Sequence, residues 1–139
     1  MNKLTIREKI IAEARTWIDT PFHHQGRLKG VGADCVGIII GTGINLGLTD
    51  FNTVGYSRQP DGLAMRATLN EQMIQVTFDE VKYGDVLLFA FDQDPQHVGF
   101  FTDIGLLHSY AQVKKCIEVS LDEAWFRRIR GVYKFKGVD

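Results

Sequence analysis

The first apolar positions of the chain repeat at helical spacing behind a capping signal. Thr5 and Glu8 form a Thr-x-x-Glu capping box, which satisfies free backbone N–H groups at a helix start. The apolar residues that follow fall on one helical face: Ile10, Ala14, Trp17 and Ile18. Pro21 lacks a backbone donor and disfavours helix before it, so the pattern predicts a helix that ends before Pro21.

A second apolar helix is predicted to begin at about Asp34. The positions that share its face are Cys35, Ile38, Ile39, Thr42 and Leu46. The run Ile38–Ile40 is also compatible with a buried strand. Gly37 and Gly41, four residues apart, favour the helix because they give it a thin face for close packing. The stretch Asn45–Gly47 has the composition of a helix C-terminus.

A third helix is predicted over 61–76, between loops at 19–33 and 48–60. Its apolar positions in helical register are Met65, Leu69, Met73 and Val76. After that the spacing changes to short β-rich segments. Strands are predicted over 86–91, 98–102, 106–110, 116–119 and 129–135.

A second capping box, Ser120 and Glu123, predicts one helical turn around Ala124–Phe126, between the last two strands. Helices followed by strands predict an α+β fold with an antiparallel sheet. We find no internal repeat or linker, so a single domain over 1–139 is the simplest organisation.

Composition and charge exclude several classes of protein. The 139 residues carry 16 basic and 17 acidic side chains, so the net charge of −1 gives little attraction to nucleic acid phosphates. The cluster of Arg127, Arg128 and Arg130 therefore indicates a solvated face. Two cysteines do not make a disulfide framework, and no apolar run has the length of a signal peptide or a membrane span. We expect no nucleic acid partner, no membrane insertion and no signal peptide.

Cys35 is the first candidate for chemistry, because it stands at the predicted start of a buried helix. Backbone N–H groups at a helix N-terminus stabilise negative charge, which lowers the pKa of a thiol and favours the reactive thiolate. The same groups can hold an oxyanion that develops on an attacked carbonyl. The position of Cys35 alone is equally compatible with a reactive cysteine and with a structural cysteine that serves as a small buried apolar residue.

Two histidines on neighbouring strands favour the reactive reading. If a turn at Thr102–Gly105 joins the strands, Phe101 faces Leu106, and His97 and His108 point to one face as diagonal neighbours. A base beside a cysteine, oriented by a third polar group, is the general form of an activated nucleophile. We therefore predict Cys35 as nucleophile, His97 as its base and His108 as the group that orients the base.

Other chemical sites have weaker support. His23 and His24 are possible zinc ligands together with Cys35 or the later histidines, but no zinc-binding spacing supports them. The glycines after Gly41 miss the spacing of a nucleotide-binding loop. Asp92 and Asp94 are expected in a turn. Cys116 lies among alternating strand residues and is predicted to be structural. We expect no metal or organic cofactor.

Five motifs, taken together and in order, resemble NlpC-type cell-wall cysteine peptidases. They are Thr20-Pro21-Phe22, Gly32-Ala33-Asp34-Cys35-Val36-Gly37, Gly84-Asp85-Val86-Leu87-Leu88-Phe89, His97-Val98-Gly99-Phe100-Phe101 and His108-Ser109. The stretch His24-Gln25-Gly26 and the compact size resemble the subgroup encoded by tailed phages and gene transfer agents. The resemblance spans residues 8–135.

The resemblance implies a papain-like fold, with the nucleophile helix packed on an antiparallel sheet. It implies hydrolysis of peptide stems in bacterial peptidoglycan, often between D-glutamate and a diamino acid. Cys35, His97 and His108 match the family's nucleophile, base and orienting residue. We expect the substrate site to be lined by Phe22, His23, His24, Gln25 and Asp34. Phe22 stands where the family commonly has a tyrosine, so one hydroxyl donor near the oxyanion is missing.

The lack of a signal peptide fits a phage virion component, made in the host cytoplasm and carried by the tail tip to the cell wall and periplasm. It fits equally a protein that is released by host lysis. The expected partners are the peptidoglycan peptide and the tail-tip or hub proteins. The alternative is a structural tail-tip plug with weak or vestigial peptidase activity. A thiol acyltransferase shares the acyl-enzyme step and is a third option.

Overall fold

The computed structural model describes residues 3–51, 62–91 and 95–139. The helices in these ranges are α1 (Ile6–Arg15), α2 (Cys35–Asn45), α3 (Gly62–Gln72) and α4 (Glu123–Phe126). The strands are β1 (Arg27–Leu28), β2 (Gly32–Ala33), β3 (Met73–Val76), β4 (Val86–Ala90), β5 (Pro95–Phe101), β6 (Leu106–Tyr110), β7 (Lys115–Val119) and β8 (Ile129–Phe135). A 3-10 turn spans Phe78–Glu80.

Both predicted helix starts near the N-terminus are confirmed. Thr5 caps α1: its hydroxyl accepts the N–H of Glu8, and the Glu8 carboxylate accepts the N–H of Thr5. Asp34 caps α2, and its carboxylate accepts the N–H of Gly37 at 2.8 Å. The apolar run Ile38–Ile40 is therefore helical, and Cys35 is the first residue of its helix.

The main sheet is antiparallel, with the strand order β3-β8-β4-β5-β6-β7. Strand β4 lies inside it and is buried on both faces. Val86 and Leu88 join the core beneath the helices, whereas Leu87 and Phe89 join a smaller apolar cluster on the opposite face. This double coverage explains why β4 is a continuous apolar run and does not alternate with polar residues.

Helices α1, α2 and α3 cover one face of the sheet, whereas Trp125 of α4 packs against the cluster on the other face. Ile10, Trp17 and Ile38 bring α1, the segment after it and α2 into the same buried cluster as Val98 of β5 and Leu107 of β6. The fold is therefore α+β with the cysteine helix on an antiparallel sheet, as the order of the elements predicted. Among the described residues, no helix is long and apolar enough to cross a membrane.

Some boundaries differ from the sequence prediction. The helix predicted over 61–76 ends at Gln72, because Met73–Val76 form β3 and pair with residues 132–135 of β8. The predicted cap Ser120 is replaced by Asp122, whose carboxylate accepts the N–H of Trp125 at 2.9 Å. The loop predicted over 19–33 contains the short β1–β2 hairpin. Residues 52–60 and the predicted turn residues Asp92 and Asp94 lie outside the described residues.

Candidate active site

Cys35 lies where the first turn of α2 meets strand β5. The backbone N–H of Val98 is hydrogen-bonded to the thiol, so the sulfur lies beside the residue that follows His97. The first turn also packs closely on the preceding loop, since a Cβ at Gly37 would lie 2.0 Å from the carbonyl oxygen of Gly26. The side chain of Cys35 is half-buried and forms no disulfide.

The pKa of the Cys35 thiol is raised, whereas the sequence predicted that it would be lowered. Burial and the neighbouring Asp34 carboxylate raise the pKa of Cys35 to about 12. The N–H groups of Val36 and of Cys35 itself lower it, as expected for a helix start, and so does the N–H of Val98 on β5, but all by less. The resting side chain is therefore a neutral thiol at neutral pH, and the expectation of a lowered pKa is wrong.

The two histidines meet as the strand register predicted. Phe101 pairs with Leu106 and Phe100 with Leu107, and Nε2 of His97 lies 2.6 Å from Nδ1 of His108. Burial, followed by the neighbouring His108, holds the pKa of His97 well below its usual range. Burial lowers the pKa of His108 to about 4. Both rings are therefore neutral at neutral pH, so each can accept a proton.

The bond between the rings fixes their proton arrangement for base catalysis. A neutral imidazole has one donor and one acceptor nitrogen. For His97 to accept a thiol proton at Nδ1, its Nε2 must donate to Nδ1 of His108. His108 then carries its own proton on Nε2, a buried atom with no hydrogen-bond acceptor among the described residues. That edge of the ring lies within an aromatic shell.

Four aromatic rings surround the histidine pair. Around His97, the ring centroids of Phe91, Tyr110 and Trp125 each lie 5.6 Å away, and that of Phe89 lies 5.9 Å away. Tyr110 also stacks on His108 at 5.2 Å, and Trp125 packs perpendicular to His108 at 5.0 Å. The shell excludes water from the pair, which is why burial dominates both histidine pKa values.

Sequence reasoning missed this shell. The sequence does contain a signal for Tyr110, because this residue lies two positions after His108 and so faces the same side of β6. Phe89 and Phe91 follow from the pairing of Phe89 with His97. Trp125 comes from α4, a separate part of the chain, and no local pattern indicates where its side chain packs.

Among the described residues, no hydrogen bond joins the thiol of Cys35 to His97. The two are linked through the main chain of β5, by the Val98 N–H. In enzymes without substrate such contacts are often long and tighten when the substrate binds. The candidate nucleophile thus lies next to the strand that carries the candidate base, without a preformed thiolate–imidazolium pair.

The predicted substrate-binding residues divide into two groups. Asp34 holds the first: its Oδ2 accepts the N–H of Gln25 at 2.7 Å and lies 4.0 Å from Nδ1 of His24. Gln25 takes a left-handed backbone angle, φ 62°, to make this turn. His24, Gln25 and Asp34 thus lie together at the start of α2.

The second group, Phe22 and His23, is hydrogen-bonded to main-chain carbonyl groups. Phe22 donates its N–H to the carbonyl of Lys114, and its ring contacts no other aromatic ring among the described residues. His23 is exposed, with Nδ1 at 3.0 Å from the carbonyl oxygen of His24. Cys116 is fully buried in β7, as expected for a structural residue. In the described ranges, no three His, Cys, Asp or Glu side chains are grouped to hold a metal ion.

Comparison with known proteins identifies the fold. An NlpC/P60 family protein from Bacillus cereus superposes with a TM-score of 0.69 over 96% of this chain at 18% identity, and the chain spans 41% of that protein. The NlpC/p60 domain of the peptidoglycan hydrolase SagA superposes with a TM-score of 0.66 at 19% identity, over 92% of this chain and 97% of the SagA chain. RipD from Mycobacterium tuberculosis, a non-catalytic NlpC/p60 domain protein adapted to peptidoglycan binding, gives 0.62 at 14% identity, over 95% of this chain and 98% of RipD.

The chain therefore has the papain-like fold of NlpC/p60 proteins. No protein-family model matches the sequence, and no curated protein matches it.

Proposed function

We propose that this protein is a cysteine peptidase that hydrolyses the peptide stems of bacterial peptidoglycan, at the bond between D-glutamate and the diamino acid. The observation that carries the proposal is a helix-start thiol bonded to the main chain of β5 at Val98, the residue after His97, together with the buried hydrogen bond between His97 and His108 on adjacent strands. The fold supports it, because SagA, which shares that fold, is a peptidoglycan hydrolase. Neither metal nor organic cofactor is needed for this chemistry.

In the proposed reaction the thiol proton moves as the sulfur attacks. Because the pKa of Cys35 is raised to about 12, the free thiolate is scarce, so His97 takes the proton during attack on the scissile carbonyl. A bond forms between sulfur and the carbonyl carbon, and the C–N bond breaks as His97 gives the proton to the leaving amine. His97 then takes a proton from water, which attacks the acyl-enzyme; the C–S bond breaks, and His97 returns the proton to the sulfur. His108 accepts the Nε2 proton of His97 in a hydrogen bond and keeps Nδ1 of His97 free.

The oxyanion formed during attack needs hydrogen-bond donors. The N–H of Gly37 is already bonded to the Asp34 carboxylate, so we assign this role to the N–H groups of Cys35 and Val36, which face the sulfur before the substrate binds. Phe22 supplies no hydroxyl. Since loss of one such donor can cost about a hundredfold or more in rate, we expect slow turnover.

The finer proposal is that the protein acts as part of a phage tail tip and reaches the cell wall from the virion. The stretch His24-Gln25-Gly26 supports it by its resemblance to the phage and gene-transfer-agent subgroup. Mass spectrometry of purified particles is the test. Particles that penetrate the wall yet lack the chain would contradict it.

A second candidate is peptidoglycan binding without turnover, as part of a structural plug. It is favoured by the raised pKa of the Cys35 thiol and by the absence of a hydrogen bond to His97 among the described residues. RipD, with the same fold, is non-catalytic. This candidate predicts that wild type is retained on insoluble peptidoglycan while releasing no peptide.

The experiment is digestion of purified peptidoglycan and isolated muropeptides, with products identified by mass spectrometry. We expect Cys35→Ala and His97→Ala to lower turnover by at least about a thousandfold. Cys116→Ala is the matched control, because it removes the other thiol, which packs in the core beneath the helices, and should keep full turnover. Undiminished turnover by Cys35→Ala would reject the peptidase. No turnover by any variant, together with retention on the insoluble wall, would favour the binding protein.

A further inference from the structure

The arginine cluster at the start of β8, Arg127, Arg128 and Arg130, does not form one solvated face. Arg127 is exposed and paired with Glu123 one turn earlier. The Nη1 of Arg130 donates to the carbonyls of Arg127 and Ile129, at 2.8 and 3.0 Å. Arg128 is different: it is half-buried, and its guanidinium lies over two aromatic rings.

Those two rings belong to the shell around the histidine pair. The guanidinium carbon of Arg128 lies 5.7 Å from the ring centroid of Phe91 and 5.7 Å from that of Trp125. Each of these rings lies 5.6 Å from the ring of His97. A single ring therefore separates the cation from the predicted base.

The main chain holds Arg128 in this position. Its carbonyl accepts the N–H of Ala90 at 2.9 Å, and its own N–H donates to the carbonyl of Trp125 at 3.0 Å. Ala90 directly follows Phe89, whose partner on β5 is His97. The backbone of Arg128 is thus fixed to the strand that lies beside His97.

The side chain keeps its hydrogen-bonding capacity unused. No ion pair or side-chain hydrogen bond joins Arg128 to any residue in the described part of the chain, so its five N–H groups are available to a ligand. The aromatic rings hold the planar guanidinium by cation–π contact and lower its exposure to water. Such a group binds carboxylates through paired hydrogen bonds.

We propose that Arg128, held over Phe91 and Trp125, binds a carboxylate of the substrate beside the scissile bond. The inference rests on the proposed peptidoglycan substrate. In a stem tetrapeptide cleaved after D-glutamate, the carboxylate nearest the scissile carbonyl is the α-carboxylate of that D-glutamate. Arg128 therefore selects stems in which this group is a free acid over stems in which it is an amide.

The test compares two tetrapeptides, L-Ala-γ-D-Glu-meso-diaminopimelate-D-Ala and the same peptide with the D-Glu α-carboxylate amidated. Wild type should cleave the acid with a kcat/KM about tenfold higher than the amide, the size expected for one half-exposed charged hydrogen-bond pair. Arg128→Gln should lose that preference by losing rate on the acid alone. Arg128→Lys should restore it in part, because an ammonium keeps the charge but not the planar fork. The matched control is Arg127→Gln, which removes the exposed arginine next to Arg128 and should keep the full preference.

A binding measurement separates this inference from the proposed function. Calorimetry with Cys35→Ala should show tighter binding of the acid peptide than of the amide, and Cys35→Ala/Arg128→Gln should bind both alike. Arg128-dependent preference in binding without turnover by wild type would keep the subsite and reject the peptidase. Turnover of both peptides at equal rates would reject the subsite and keep the peptidase. Neither turnover nor acid-selective binding would reject both.

Discussion

At the residue scale, opposing effects act on the pKa of the Cys35 thiol. Three N–H groups favour the thiolate, while burial and the Asp34 carboxylate favour the thiol and prevail. Sequence reasoning predicted the helix start, because a capping residue and an apolar run are local signals. It did not predict the direction of the pKa, because burial depends on strand β5, more than fifty residues away in the chain.

We expect the alkylation of Cys35 by iodoacetamide to keep rising with pH beyond about pH 9, because only the thiolate reacts. Asp34→Asn should move this rise to lower pH, since it removes the neighbouring charge and keeps an oxygen for the Gly37 N–H. The rate is measured by mass spectrometry of the Cys35 peptide, with the peptide of buried Cys116 as internal reference. An alkylation rate that is already constant with pH below pH 7 would contradict a neutral Cys35 thiol and indicate a preformed thiolate.

At the scale of elements, the predicted register of β5 and β6 explains why the histidines meet. A short turn with opposed apolar residues fixes the pairing, so the contact was readable from the sequence. The end of α3 could not be predicted from the sequence, because Met73 and Val76 fit both a helical face and a strand. Pairing with β8, nearly sixty residues on, decides for the strand. The packing of Trp125 on the histidines also depends on a long-range contact, so no local pattern predicts it.

Gly99 lets β6 approach β5 closely enough for the histidine bond. A Cβ there would lie 2.6 Å from Cδ1 of Leu106 and 3.0 Å from Cβ of His108. We expect Gly99→Ala to displace His108, to lower stability by about 1–3 kcal/mol and to abolish most turnover.

The matched control is Gly131→Ala on β8, where the nearest atom to the added Cβ is 3.1 Å away, on the ring of Tyr133. Thermal unfolding and peptide turnover are measured for both variants. Equal effects of the two substitutions would show that close approach at Gly99 is not needed for the histidine pair.

At the scale of the whole molecule, the buried histidines couple folding to pH. Burial lowers the pKa of His108 from its ordinary value of 6.5 to about 4, and it lowers that of His97 as well. Below about pH 6.5 the unfolded chain takes up protons on these rings that the folded protein does not, so unfolding becomes more favourable as the pH falls. Above that pH neither state gains protons there, and this contribution is constant.

We therefore expect wild type to lose stability as the pH falls from about 6.5 towards 4, with His108 contributing up to about 3 kcal/mol. Urea unfolding is measured across this range for wild type and His108→Gln. The difference between the two curves isolates the histidine from the carboxylates, which titrate in both proteins. Parallel curves would mean that His108 titrates normally in the folded state.

The protonated resting state of Cys35 has a consequence for the protein's tolerance of oxidants. Peroxide converts a thiolate to sulfenic acid, and higher oxidation states follow irreversibly, whereas a neutral thiol reacts slowly. In the proposed mechanism the thiol gives up its proton only during attack on a bound peptide, so the thiolate that peroxide attacks exists for a small part of the protein's lifetime. The burial that raises the pKa of Cys35 thus also protects its sulfur from oxidation.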